Sequence, residues 1–387
     1  MALRAQIGLD SAIETETYTP IKSLTLSRSA VLSLKDCCSQ SSWDEWVDTA
    51  PISDVFYRAS YVRASEPIEH GRGIALILAS GSLQVFLPLL LRPLAELPFA
   101  HGESGFDAVT PYGYGGLLPL CPVEDPAKGD VKALLELLRQ WCLDSNVVSC
   151  HIRLHPFLEQ ERWFSPEALR EPGASLCFRA LTTGIALSNW DNSRQCIVGM
   201  NESRRRKLKE AKRHLRVSWG GAEIPLDEAL NLFRRIYEYR MTQLHADRFY
   251  YFPPEYYASL AAGARLGVAL AWSGEQLVGG QLFLASRDFA HYHLGGANEA
   301  GFKSHASTLL TNEGANWAWK QGCKALHLGG GSENLFSYKK SYGGSIYRYY
   351  TLDVIADEAK YRDLFRRRVD STSLPAVRQG FFPQYRA

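Results

Sequence analysis

The chain has 387 residues, 46% of them apolar and 22% charged, with a formal net charge of +2. Length alone gives roughly two to three domains, and the composition is that of a packed soluble protein, not a disordered one. The near-neutral balance excludes a globally basic nucleic-acid binder, so any basic signal has to be local.

The opening "MALRAQIGLDSAIETETYTP" has no apolar core of signal-peptide length, and 1–23 reads as an N-terminal tail. After a helical "SWDEWVDTA" (42–50) comes "GIALILASGSLQVFLPLLL" (73–91), apolar enough to suggest a membrane span. Gly81 and Ser82 interrupt it centrally, Pro88 sits further on, and both halves are β-prone. Two buried strands around a turn are expected, in a protein with no transmembrane segment that resides in the cytoplasm. Eight cysteines, at 37, 38, 121, 142, 150, 177, 196 and 323, form no CxxC pair and no zinc-ligand spacing. They read as free, mostly buried thiols.

"DAVTPYGYGGLL" (107–118) sets Tyr112 and Tyr114 between glycines after a proline. A ligand can approach such a backbone closely, so the two tyrosines and Asp107 become candidate pocket residues. "VKALLELLRQWCLDSNVVSCHIRLHP" (131–156) then gives a helix, a polar turn and a strand, and "SPEALREPGASL" (165–176) reads as a connector.

In "NESRRRKLKEAKRHLR" (201–216), Asn201 or Ser203 can cap a helix with the apolar stripe Leu208, Ala211 and Leu215. Its other faces carry Arg204, Arg205, Arg206 and five further cations against Glu210. A one-signed face at a helix start attracts phosphates of a nucleotide-linked substrate or of an RNA backbone. Helices follow at 227–245 and 253–264, bracketing "HADRFYYFPPEYY" (245–257). There Tyr250 and Tyr251 are candidate stacking residues. "GVALAWSGEQLVGGQLFLA" (267–285) is a second hairpin, and "AHYHLGGA" (290–297) a third strand. On it His291 and His293 share one face; with no third ligand visible, a metal site is not expected.

"HASTLLTNEGANWAWKQGCKALHLGGG" (305–331) repeats the helix-then-strand order of 131–156. Hairpin, helix and strand are thus given twice, and the order marks a duplicated α/β unit. The lobes expected are 24–180 and 181–356, with a cleft between them and a tail, 357–387, packing on them. The last motif, "LHLGGGSENLFSYKKSYGG" (326–344), runs a strand into three glycines, an aromatic-rich turn and two lysines. No GxxxxGK[ST] loop, HExxH, GxSxG elbow or dinucleotide fingerprint occurs. That suits group transfer between two bound substrates, in which the protein positions them and stabilises developing charge.

These motifs resemble FemAB-type transferases of the GNAT-fold superfamily, built from two such lobes in tandem. The likeness rests on "LHLGGG" followed by Tyr338, Lys339, Tyr342 and Gly343, on "TPYGYGG" and on the "RRRKLKEAKR" helix, and covers most of 70–350. It implies an α/β fold with mixed sheets and transfer of an aminoacyl group from aminoacyl-tRNA to an amine. That acceptor would be a cell-wall precursor or another small molecule, and no covalent enzyme intermediate would form. Relatives labelled N-acetyltransferases imply the alternatives of acyl-CoA or an acyl-carrier protein as donor. A non-catalytic RNA- or nucleotide-binding module is a further reading. The resemblance places Lys339 at the acyl centre, and Tyr338, Asp247 and His293 are further candidate catalytic residues. Lys303, Ser304, Gly329, Gly330 and Tyr342 would meet the donor, and Arg204 to Arg206 phosphates. For the general base, Asp107, His245, Asp247 and His293 are candidates, and a substrate-assisted route is equally open. No permanently bound cofactor is expected, contact with a membrane surface stays open, and the oligomeric state is not specified.

Overall fold

The computed structural model describes residues 29–33, 40–170, 173–192, 195–371, 374–378 and 380–387. The expected tail at 1–23, and Cys37 and Cys38, lie outside them. The chain divides into two units. One holds residues up to Pro51 together with Ser65–Arg179 and Tyr350–Ala387; the other holds Ile52–Ala64 and Ala180–Tyr349.

The first unit opens with β1 (Ser29–Ser33) and α1 (Gln40–Thr49), and takes the end of α2 (Ala59–Glu69). β2 (Arg72–Ser80) and β3 (Leu83–Pro93) form the antiparallel hairpin that the sequence announced at 73–91. No described helix is long and apolar enough to cross a membrane. Then come β4 (Phe106–Val109), β5 (Leu118–Pro119), α3 (Lys128–Asp144), β6 (Val147–Arg153) and α4 (Pro166–Arg170). The crossover through α3 lets β6 lie parallel to β4. Leu134, Leu135, Leu138 and Trp141 on α3 pack with Ile74, Leu76, Leu89 and Ile152 as the core. α4 and the start of β7 (Ala174–Ala186) occupy the expected connector.

The second unit contains α5 (Gln195–Gly199), α6 (Glu202–His214), β8 (Arg216–Trp219), α7 (Leu226–Gln243) and α8 (Pro254–Gly263). Its meander is β9 (Arg265–Ser273), β10 (Gln276–Ala285) and β11 (Phe289–Ala297), all antiparallel. α9 (Glu299–Lys303) and α10 (Ala306–Lys320) lead into β12 (Ala325–Gly329), which runs parallel to β11. The strand order is β8-β9-β10-β11-β12, closed by the Thr183–Ala186 end of β7. Neighbouring strand residues point to opposite faces. A Cβ on Gly280 would meet Phe233 and Ile236 of α7, whereas one on Gly279 would meet Ala306 and Leu310 of α10. The two helices therefore cover opposite faces of the sheet. Truncating Leu310, fully buried where α10 meets the sheet, would cost about 2–5 kcal/mol.

Meander, helix and parallel strand thus occur twice in the same order. The agreement reaches the turns: Ser80 pairs with Leu83 and Ser273 with Gln276, each closing a two-residue loop led by a glycine. Gly81 and Gly274 have φ of 55° and 57°, the positive values that such hairpin turns need and that glycine adopts without strain. The described cysteines form no disulfide, and Cys142, Cys150, Cys196 and Cys323 are buried.

One expected element differs. The stretch after Gly331 is the helix α11 (Glu333–Lys340), not an aromatic turn. β13 (Ser345–Ile355) and α12 (Glu358–Asp370) follow, and Thr351–Ile355 lies antiparallel to β6 in the first unit. Residues 357–387 also belong to that unit, with Tyr361, Leu364 and Tyr385 packed on Leu94, Leu97, Ala100 and Val148.

Candidate active site

From β12 the chain passes through Gly330 and Gly331 into α11. Glu333 in its first turn and Lys339 and Lys340 in its last suit the helix dipole. The two lysines part company there. Lys340 is exposed, while Lys339 keeps only 7% of its surface. The Lys339 Nζ donates to the Gly330 carbonyl at 2.7 Å and stands 5.5 Å from the centre of the Tyr292 ring. Among the described residues, no carboxylate lies within ion-pair distance of it. Burial favours the neutral amine, and lowers the pKa from 10.5 to about 8. Beside Gly330 in β7, Thr182 is fully buried, and its hydroxyl makes no hydrogen bond within the described protein. An ammonium has three N–H donors, of which the Gly330 carbonyl takes one. The others have no acceptor among the described residues.

A second cation meets the same helix. Asn201 caps α6 as expected, its Oδ1 accepting from the Arg204 N–H at 2.8 Å, and the stripe Leu208, Ala211 and Leu215 is buried. Arg204 therefore turns inward while Arg205 and Arg206 stay exposed. Its guanidinium carbon sits 4.2 Å from the centre of the Tyr338 ring and 5.1 Å from that of Tyr342. Its Nε donates to Ser341 Oγ and its Nη1 to Thr308 Oγ1, each at 2.8 Å. The hydroxyls of Tyr338 and Tyr342 are 2.8 Å apart, and burial pushes the Tyr342 phenol well up. Three members of one sequence motif thus converge on an arginine far upstream, 137 residues before Ser341.

Strand alternation on β11 sorts its neighbours. His291 Nε2 is 2.7 Å from the Asp54 carboxylate, and His293 shares a hydrogen bond with the Tyr256 hydroxyl. Burial, and then His291 nearby, drop the His293 ring to about 3, so it stays neutral at physiological pH. Tyr292, between them, points the other way, toward Lys339. Asp247 is exposed and accepts from the Phe249 N–H; Tyr250 and Tyr251 are exposed on the same segment, and His245 holds a positive φ of 48°. Lys303 is exposed and paired with Glu299, while the Ser304 hydroxyl donates to the Ala300 carbonyl. Gly329 ends β12 opposite Thr183.

In the first unit, Tyr112 and Tyr114 are half-buried in the turn at 112–114. Asp107 is fully buried, with Arg92 Nε 2.6 Å from one oxygen and Arg386 Nε on the other. Burial alone would raise its carboxyl, but the two guanidinium groups outweigh that and hold it below the ordinary carboxylate range.

Sequence reasoning did not single out Tyr292, Thr182, Thr308 or Ser341. Only Tyr292 carried a signal: it alternates with the two histidines, so it had to face the opposite side of the strand.

Comparison with known proteins agrees with this geometry. Residues 201–340 match the model of the family described as an acetyltransferase (GNAT) domain. The solved structure of FemX superposes with a TM-score of 0.65 at 12% identity, over 84% of this chain and 98% of that one. A tandem GNAT protein from the clavulanic acid biosynthesis pathway superposes with a TM-score of 0.51 at 12% identity, over 85% and 98% of the two chains. No curated protein sequence matches the chain. The matched stretch and these superpositions show a GNAT fold. The architecture is similar to that of FemX and of the tandem GNAT protein.

Proposed function

We propose that this protein transfers an aminoacyl group from aminoacyl-tRNA to an amine acceptor, forming an amide without a covalent enzyme intermediate. The observation that carries the reading is the buried Lys339 ammonium, held on a carbonyl and, among the described residues, facing no carboxylate. A neutral acceptor amine attacks the acyl carbon of the donor ester, and the carbonyl oxygen takes up negative charge. Lys339 donates to that oxygen, whose charge is largest in the tetrahedral intermediate. Collapse breaks the ester bond and expels the ribose hydroxyl of the tRNA terminus, which takes the proton the amine loses.

Two features support tRNA as the donor. Arg205, Arg206, Lys209, Lys212 and Arg213 are exposed on α6, next to Arg204, which touches Tyr338 and Tyr342. Such a row follows a phosphate backbone, and Arg205 and Arg206 at its start hold the phosphates nearest the acyl end. The second feature is the connection from β11 to α10. Its one glycine, Gly301, is there for packing: a Cβ would lie 2.0 Å from the Val278 carbonyl oxygen. It does not open a diphosphate nest of the kind a CoA donor would use. Tyr250 and Tyr251 stack on substrate in this reading.

The acyl-CoA alternative draws on the clavulanic acid pathway protein, whose structure was solved without AcCoA. Charged tRNA or acetyl-CoA, each offered with nucleotide-linked peptides and small amines, separates the donors. The expected result is an amide product from charged tRNA that ribonuclease abolishes. Product from acetyl-CoA that survives ribonuclease would replace the reading. Tight RNA binding with no amide from any donor, unchanged in Lys339→Ala, would instead mark a binding module.

A further inference from the structure

The three arginines at the start of α6 look equivalent in sequence, yet the structure separates one of them. Arg204 keeps 9% of its surface and is bound to protein groups through its backbone and through two guanidinium nitrogens. All but one of its side-chain partners belong to the segment that carries Lys339: Tyr338, Ser341 and Tyr342. The remaining one, Thr308, lies in the first turn of α10. The Asn201 N–H adds a bond to the Ser341 carbonyl at 3.1 Å. One side chain thus ties the start of α6, the start of α10 and the end of α11 together.

We infer that Arg204 is a positioning residue for Lys339, holding the last turn of α11 so that the ammonium stays on the Gly330 carbonyl. The inference rests on the reading of Lys339 as the charge at the acyl centre. An isolated helix of eight residues is not stable in water, so tertiary contacts must fix the geometry of α11. Arginine suits the task because its planar fork aims two N–H donors at fixed angles while its face covers the aromatic rings. A lysine has one nitrogen and cannot hold Ser341 and Thr308 at once while stacking on both tyrosines. Among the described residues, the titratable group facing the Lys339 ammonium is the phenol of Tyr292, its ring centre 5.5 Å away.

The test follows Lys339 directly. In the full-length protein, competitive acylation followed by mass spectrometry gives the titration midpoint and reactivity of this one lysine. Wild type should titrate near 8. In Arg204→Lys and Arg204→Ala the released ammonium becomes hydrated, and its midpoint should rise by a unit or more. Turnover should fall about tenfold or more in Arg204→Lys, with KM for the phosphate-bearing substrate changed less than about threefold. Thr308→Val and Ser341→Ala, which each remove one of the two acceptors, should shift the midpoint partway and keep the inference testable if Arg204→Ala fails to fold. An unchanged midpoint in folded Arg204→Lys would overturn the inference. So would a raised KM with intact turnover, which would make Arg204 a phosphate ligand. Failure of the underlying reading looks different: Lys339→Met would then keep full turnover, whatever the Arg204 variants do.

Discussion

Buried charge in the first unit and the buried Lys339 of the second are handled in opposite ways. In the first, buried charges are neutralised by partners: Asp107 lies between Arg92 and Arg386, and Glu69 is 3.3 Å from Arg92 and 3.0 Å from Arg153. Asp353 is likewise 2.6 Å from His151 and 2.8 Å from Arg179. In the second, Lys339 is buried against a carbonyl and a ring face, with no carboxylate to answer it. Fully paired charges fix one arrangement of the chain. An unanswered one costs stability and is kept where its charge is used by something that binds.

Breaking the paired side should give the largest effect. Asp107→Ala strands two guanidinium groups in the core of the first unit and should destabilise the protein by about 3–5 kcal/mol, measured by denaturant unfolding. The pH dependence follows from the depressed carboxyl. The folded state binds this proton less readily than the unfolded chain, so the stabilisation is full above the ordinary carboxylate range. It is lost as pH falls through the lowered folded value. An unfolding midpoint that does not move on acidification in wild type relative to Asp107→Asn would contradict the account.

The unpaired side should respond in two opposed ways. Lys339→Met should cut turnover by about a hundredfold or more while making the protein more stable at neutral pH. A fall from 10.5 to about 8 corresponds to on the order of 3 kcal/mol as an upper figure for the penalty removed. Here the folded pKa lies below the unfolded one, so the penalty is complete below about 8 and fades as pH rises toward 10.5. The stability gap between variant and wild type should narrow over that window, and wild-type turnover should fall as Lys339 loses its proton near 8. A variant that is less stable at pH 7 would show that the ammonium is structural after all.

A smaller effect sharpens the reading of α6. Arg205→Ala with Arg206→Ala should weaken tRNA binding roughly tenfold and lower the slope of log affinity against log salt by about two, in a filter-binding series. Lys340→Ala, exposed at the end of α11, should leave turnover within about twofold.

Much of the architecture was legible because it depends on local pattern. The paired hairpins showed in alternating apolar runs around Ser-Gly turns, and Gly81 and Gly274 take up matching geometry. The Asn201 cap and the stripe of α6 were equally readable. What stayed hidden depends on tertiary contact. α11 follows three glycines and contains Phe336, Ser337 and Tyr338, none a strong helix former, so propensity gave little sign of it. The inward turn of Arg204, one of three consecutive arginines, is set by Thr308 and Ser341, far away in sequence. Asp107 read as a pocket acid because nothing near it in sequence revealed Arg386.

The strand segment Thr351–Ile355 pairs with Ser149–Arg153, some two hundred residues earlier, after most of the second unit has intervened. On the ribosome, β6 therefore emerges long before the neighbour that covers its edge. That edge must wait through the synthesis of the intervening segment, open to incorrect pairing or to chaperone capture. Of the two units, the one that begins first is the one that can finish only last.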